Sequence, residues 1–248
     1  MPNYVKNKLV ISQKDAFDRI VAECIRPDEN GQPNMDFESV VPMPRELLEV
    51  PCGSPTTDGI ILVYSTASKE RKASIIEAIK DNMWLQDAIK PCLAKDYKGL
   101  RKMDDEQIAN ARAYGEKALS NLEKYGAFCW YDWCVKNWGT KWNACETEVD
   151  EGEKSITFWT AWSLAKPFIV ALSKKYHCRI KTFFADEDLG RNCGLLLADD
   201  GKVVHYENFE ADSKQSYVLG CSLWNCDIAE YTDETWETLD GNPMYVQA

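Results

Sequence analysis

The sequence predicts an α+β fold, a mainly antiparallel sheet covered by helices on one face and carrying a helical insertion. Three observations lead there. Period-two alternation marks "YVKNKLVIS" near the N-terminus and "SITFWTAWS" and "CRIKTFFADE" in the second half, as half-buried strands require. Helical spacing separates these strands, so strand–helix–strand units stand at both ends. With 248 residues, 45% of them hydrophobic and 28% charged, the chain can bury a sizeable core.

In chain order, the first strand is followed by "DAFDRIVAEC", with Phe17, Ile20, Val21 and Cys24 on one helical stripe. Ser12 with Asp15 resembles a capping box ahead of it. "ENGQPN" reads as a loop, "MDFESVVPMP" as a short extended segment ended by prolines, and "RELLEV" as at most two helical turns. "DGIILVYS" reads as another strand. From Ser68 to Tyr125 the pattern is helical, with Ile75, Ile76, Ile79, Met83 and Ala88 along a stripe. Asp104 with Gln107 forms a second capping-box pattern, opening a polar helix that Gly126 ends. The domain division expected is 1–51 plus 126–248 for the sheet domain, with 52–125 a mostly helical insertion.

"WYDWCVKNWGTKWNAC" then places four of the nine tryptophans within thirteen positions. Trp130, Trp133 and Trp138 recur at helical intervals until Gly139, and Trp142 falls on a following strand-like alternation. The rings therefore belong to the core, since each indole covers roughly 150–250 Å² and needs one partner for its N–H. Phe158 and Trp162 join them on one face of "SITFWTAWS", while Trp159 and Phe183 fall on an outer face. "PFIVALSKKY" is a helix with proline in its first turn, and "CGLLLADDGKVVHYE" a hairpin turning at "ADDG".

Four patches, "MPNYVKNKLVIS", "VVPMPREL", "WYDWCVKNWGTKWNA" and "FADEDLGRNCG", together resemble the YubB-like family of phage and plasmid proteins. The resemblance spans most of the chain except roughly 52–120. It implies a ferredoxin-like fold, a term for topology and not for an iron–sulfur cluster. It also implies a mobile-element origin, and it transfers no catalytic residue.

The net charge is −11, carried mostly from Gly126 onward, where 11 basic residues face 20 acidic ones. Long-range repulsion of phosphate argues against direct nucleic-acid binding. No apolar run reaches the roughly 20 residues of a membrane span, so no membrane partner is expected. Ten cysteines without a secretory signal read as reduced thiols in a bacterial host's cytoplasm. Cys129 with Cys134 and Cys221 with Cys226 are spaced too widely for a typical zinc pair, so no metal or cofactor is expected.

The expected function is a non-catalytic interaction module with a host-protein partner. Its candidate contact residues are Trp159, Phe183, Asp186, Glu187, Asp188 and the hairpin residues Asp199 and Asp200. A narrower version is a counter-defence inhibitor whose carboxylates mimic nucleic acid, drawing also on "ETEVDEGE" and "YTDETWETLD". The alternative is a metal-dependent hydrolase or nuclease using Asp186 and Asp188, because paired carboxylates at a strand end can hold Mg²⁺.

Overall fold

The computed structural model describes residues 3–82, 85–87, 89 and 103–228. The expected stripe positions Met83 and Ala88 and the acidic stretch 231–240 lie outside the described residues. The chain divides into two compact units, one of Met1–Pro42 with Cys134–Ala248 and the other Met43–Trp133.

The first unit is built on six antiparallel strands: β1 (Tyr4–Val10), β4 (Cys145–Asp150), β5 (Ser155–Ala161), β6 (Arg179–Asp186), β7 (Gly194–Asp199) and β8 (Lys202–Asn208). Their order across the sheet is β4-β5-β1-β6-β7-β8. This is the α+β, ferredoxin-like architecture. The central strand β1 sets the register, pairing Leu9 with Ile156 on one side and with Thr182 on the other. A separate short pair joins β2 (Ile25–Pro27) to β3 (Pro33–Met35).

Alternation decides the faces. Val5, Asn7, Leu9, Ile156, Phe158, Ile180, Phe184 and Leu196 point to one side and are buried. Helix α6 (Lys166–Tyr176) packs there, Phe168 meeting Phe158 at 6.4 Å, with α1 (Lys14–Cys24) beside it. Phe37 stacks on Phe168 at 4.0 Å and meets Trp138 edge-on at 5.7 Å. Burial of each such ring contributes about 1.5–3 kcal/mol. Asn7 is tolerated among them because its amide donates to the Val5 carbonyl and to Thr160 Oγ1, both at 2.9 Å. The sheet's second face is not bare. Helix α7 (Lys214–Trp224) lies on it, forming a smaller core with Phe183, Ala185, Leu195 and Leu219.

The second unit contains α2 (Ser54–Thr66), α3 (Lys69–Ala78) and α4 (Asp105–Tyr125). The "DGIILVYS" segment is not a strand; it is the body of α2. Ile60 to Tyr64 are buried in succession, so the helix is apolar all round and shows no helical stripe to read. Gly53 at φ +92° leads into it and Pro55 occupies its first turn. Gly59 and Gly115 let α2 and α4 approach backbone to backbone: a Cβ at Gly59 would lie 2.0 Å from the Ala111 carbonyl oxygen. The capping box of α4 forms as read, Asp104 accepting from the Gln107 amide at 2.8 Å, and Gly126 ends the helix at φ +68°. The one before α1 does not: the cap residue is Gln13, with no side-chain bond.

Helix α5 (Trp130–Asn137) contains the division between the units. Of the predicted core residues, Trp133, Trp138 and Phe158 are buried, and Trp138 donates to the Val41 carbonyl at 2.9 Å. Trp130 and Trp142 are half-buried. Trp162 contradicts the expectation. It is 45% exposed, because β5 ends at Ala161 and the next residue turns to φ +68°, which takes its ring off the inward face. Among the described residues, no helix is long and apolar enough to cross a membrane.

Candidate functional site

The acidic candidates do not converge. Asp186 to Asp188 sit at the C-terminal end of β6, whereas Asp199 is paired with Arg179 at its start. Seven residue steps along a strand separate those ends by roughly 24 Å. The hairpin carboxylates and Asp186 therefore stand at opposite ends of β6, because an antiparallel hairpin returns the chain to the far end of its neighbour.

Asp186 is buried and committed to structure. Its Oδ1 accepts from the Asp188 amide at 2.9 Å and from Asn3 Nδ2 at 3.4 Å, and its Oδ2 accepts from Asn192 Nδ2 at 3.1 Å. These bonds tie the β6–β7 loop to the N-terminal segment. Glu187 is exposed, with Oε1 accepting from the Tyr4 amide at 3.1 Å, and Asp188 is exposed. Asp199 accepts two bonds from the Arg179 guanidinium, at 3.0 and 2.7 Å, and Asp200 meets His177 Nδ1 at 2.8 Å. No group of three or more His, Cys, Asp or Glu placed to hold a metal ion occurs among the described residues.

Four of the thiols, Cys129, Cys145, Cys178 and Cys193, are held protonated and are poor nucleophiles. Burial pushes Cys145 and Cys178 up to about 11 and Cys193 up to about 12. Cys129 is raised further, first by its hydrogen bond with Cys52 and then by burial. All nine described cysteines are free.

The aromatic candidates part company. Phe183 is buried, 8% exposed, under Leu219 of α7 and does not form an outer surface; a helix covers the face that alternation alone leaves open. Trp159 remains half-buried on that face, in a cluster the sequence did not disclose. It meets Tyr4 at 5.8 Å and Trp224 at 5.1 Å, and Lys6 Nζ lies 5.4 Å from its ring and 4.5 Å from that of Trp224. Burial depresses the Lys6 ammonium despite Glu148 nearby. Trp159 is thus flanked by a cation. The alternation of Tyr4 and Lys6 on β1 was readable; that Trp224 would cross to meet them was not.

Strand β8 was not among the candidates, yet it is the most exposed part of the sheet. It is an edge strand, with Val203, Val204 and Tyr206 at 43%, 56% and 40% exposure. No strand among the described residues pairs with its outer edge. Tyr206 is braced from within by Phe184, stacked at 6.3 Å, and by Lys166, 3.7 Å from its ring.

Among solved structures, the crystal structure of the protein Api92 from Yersinia pseudotuberculosis is similar at 13% identity. The alignment covers 86% of this chain and all of that one, with a TM-score of 0.35, too low to bear on fold or function. No curated protein matches the chain. Residues 137–240 match the family described as the ferredoxin-like domain in Api92-like protein. The C-terminal part of this chain therefore carries a ferredoxin-like domain similar to that of Api92-like proteins.

Proposed function

We propose that this chain is a non-catalytic interaction module, made by a phage or plasmid, that engages a protein of the bacterial host in its cytoplasm through the free edge of its sheet. The observation that supports this reading is β8, which presents two adjacent valines and a tyrosine to solvent beside an unpaired backbone edge. Such an edge is a template for another strand, and soluble proteins usually blunt it with charge, proline or distortion. Here the charges of Lys202 and Glu207 and one register irregularity between Leu197 and Ala198 are the protections visible. Of the two carboxylates considered for metal chemistry, Asp186 is engaged by the Asp188 amide and by Asn3 and Asn192, which favours binding over catalysis. The nucleic-acid-mimic version has less behind it, because the acidic candidates form two groups at opposite ends and four of them hold amide, guanidinium or imidazole partners.

The test is capture from a bacterial lysate by the tagged chain and by Val204→Lys, a change at an exposed position that leaves the core untouched. A stoichiometric partner retained by the wild type and lost by the variant supports the reading. Recovery of the chain alone, or capture indifferent to the lysine, overturns it.

A further inference from the structure

Two thiols of the second unit meet. Cys52 lies in the loop that leads through Gly53 into α2, and Cys129 is the residue before α5. The two share a hydrogen bond, and Cys52 packs against the buried cluster that holds Cys129 with Ile61 and Ala118. Sulfurs close enough to share a proton can reach the roughly 2 Å of an S–S bond by side-chain rotation. Their access differs. Cys52 is half-buried, whereas Cys129 is 4% exposed. A third group completes the cluster. Asp132, in the first turn of α5, accepts from the Cys129 thiol at 3.8 Å through Oδ2, and its carboxylate also accepts from the amides of Phe128 and Cys129.

These placements assign roles. The half-buried thiol is the one that a small molecule in solution can reach, so Cys52 is the attacking group. A thiolate at Cys52 can accept from the neighbouring Cys129 thiol, which holds the negative charge in place. Cys129 is kept protonated, first by its hydrogen bond with Cys52 and then by burial, and becomes a nucleophile only as its proton leaves. Asp132 stands where that proton can go. Burial raises its carboxyl above the usual carboxylate range, which brings its proton affinity nearer to that of a thiol.

We infer that Cys52 and Cys129 are a redox-active pair that closes to a disulfide on reaction with a small disulfide such as oxidised glutathione, Cys52 attacking first and Asp132 taking the proton of Cys129. In the first step the Cys52 thiolate attacks one sulfur of the small disulfide, whose S–S bond breaks; one small thiolate leaves and Cys52 is held in a mixed disulfide. In the second, Cys129 passes its proton to Asp132 and attacks the Cys52 sulfur, expelling the second small thiolate. The protein gives up two electrons and two protons, and the small disulfide takes both to become two thiols. The new bond closes the chain around α2, α3 and α4, and a cross-link that closes a long loop stabilises by restricting the unfolded chain. All three residues belong to the second unit, so the inference goes beyond the reading of β8 and does not rest on it.

The experiment incubates the reduced full-length chain with oxidised glutathione, blocks remaining thiols with N-ethylmaleimide, and reads the digested products by mass spectrometry. A peptide linking Cys52 to Cys129 should be the main product and should disappear on treatment with dithiothreitol. The oxidised chain should unfold at a urea midpoint about 1–2 M higher than the reduced one. Cys129→Ser should stop with one glutathione on Cys52, and Cys52→Ser should leave Cys129 unmodified. Asp132→Asn should slow closure about tenfold or more while glutathione still reaches Cys52 at the wild-type rate, so that the mixed disulfide accumulates. A purely structural role for Asp132 would not separate the two steps. The wild-type linkage needs no variant, so the pairing is tested even where a substitution disturbs the fold. A dominant linkage between other cysteines, no linkage at all, glutathione on Cys129 ahead of Cys52, an unchanged midpoint, or equal slowing of both steps by Asp132→Asn would each overturn the assignment.

Discussion

Replacing Gly59 by alanine tests the helix crossing that organises the second unit. In an uncrowded helix that change stabilises by about 1 kcal/mol, because alanine has the higher helical propensity. Here the new methyl would stand 2.0 Å from the Ala111 carbonyl oxygen and 2.7 Å from the Gly115 nitrogen. Carbon and oxygen settle at about 3.4 Å, so the two helix backbones would have to part by roughly 1.4 Å. Neither is a flexible side-chain end that can swing aside. Separation of that size opens the contact around Ile60 and Ala118, both buried, and overpacking of this kind costs about 1–3 kcal/mol or more. The net expectation for Gly59→Ala is a loss of about 2 kcal/mol, after the propensity gain is deducted. Urea unfolding followed by far-ultraviolet circular dichroism would read it as a fall of about 1 M in midpoint, with a slope of about 2 kcal/mol per molar. A midpoint that rises instead would refute the close approach. Gly115→Ala, whose Cβ would lie 2.2 Å from the Gly59 carbonyl carbon, should fall similarly, and the pair should not add.

Asp186→Ala should cost about 1–3 kcal/mol, because the Asp188 amide and the Asn192 side chain lose their acceptor, and urea midpoints check it. Calorimetric titration with Mg²⁺ or Mn²⁺ at millimolar concentration should give no saturable heat; a saturable signal abolished by Asp186→Asn would restore the hydrolase alternative. Trp138→Ala should destabilise by about 3–5 kcal/mol while Trp162→Ser changes stability by less than about 1 kcal/mol, since the first ring is 3% exposed and the second 45%. Stability should also fall above pH 9. The unfolded thiols ionise near 9, whereas Cys145 and Cys178 stay protonated in the fold until about 11 and Cys193 until about 12. The unfolded chain therefore binds fewer protons than the native one across that window, and rising pH favours unfolding. Thermal midpoints recorded from pH 8 to pH 11 (a range taken from those values) should decline steadily, and a flat profile would contradict the burial of these thiols.

Local chemistry was legible wherever its cause lies within a few residues. The alternation in β1, β5 and β6 and the capping box of Asp104 with Gln107 needed no knowledge of neighbours. Two readings failed because the deciding partner is distant in sequence. The segment 58–65 looked like a strand because a helix buried on every side loses its stripe, and what surrounds α2 is contributed largely by α4 and its neighbours. Phe183 looked outward because alternation assigns a residue to a face without saying whether a helix lies on that face. Trp162 failed more locally: a single left-handed residue at the end of β5 interrupted the alternation.

The candidate sites follow the same division. Val203 with Val204 could be placed from the sequence alone as an apolar pair on a hairpin arm. That Cys52 meets Cys129 depends on how the helices between them pack, and that β8 is an edge depends on the order of all six strands. Short-range patterning reports backbone geometry and which side a residue faces, since those arise from torsions and spacing within one segment. Which faces end up covered, and which charges meet, is decided by the packing of segments far apart in the chain, where burial outweighs any local preference.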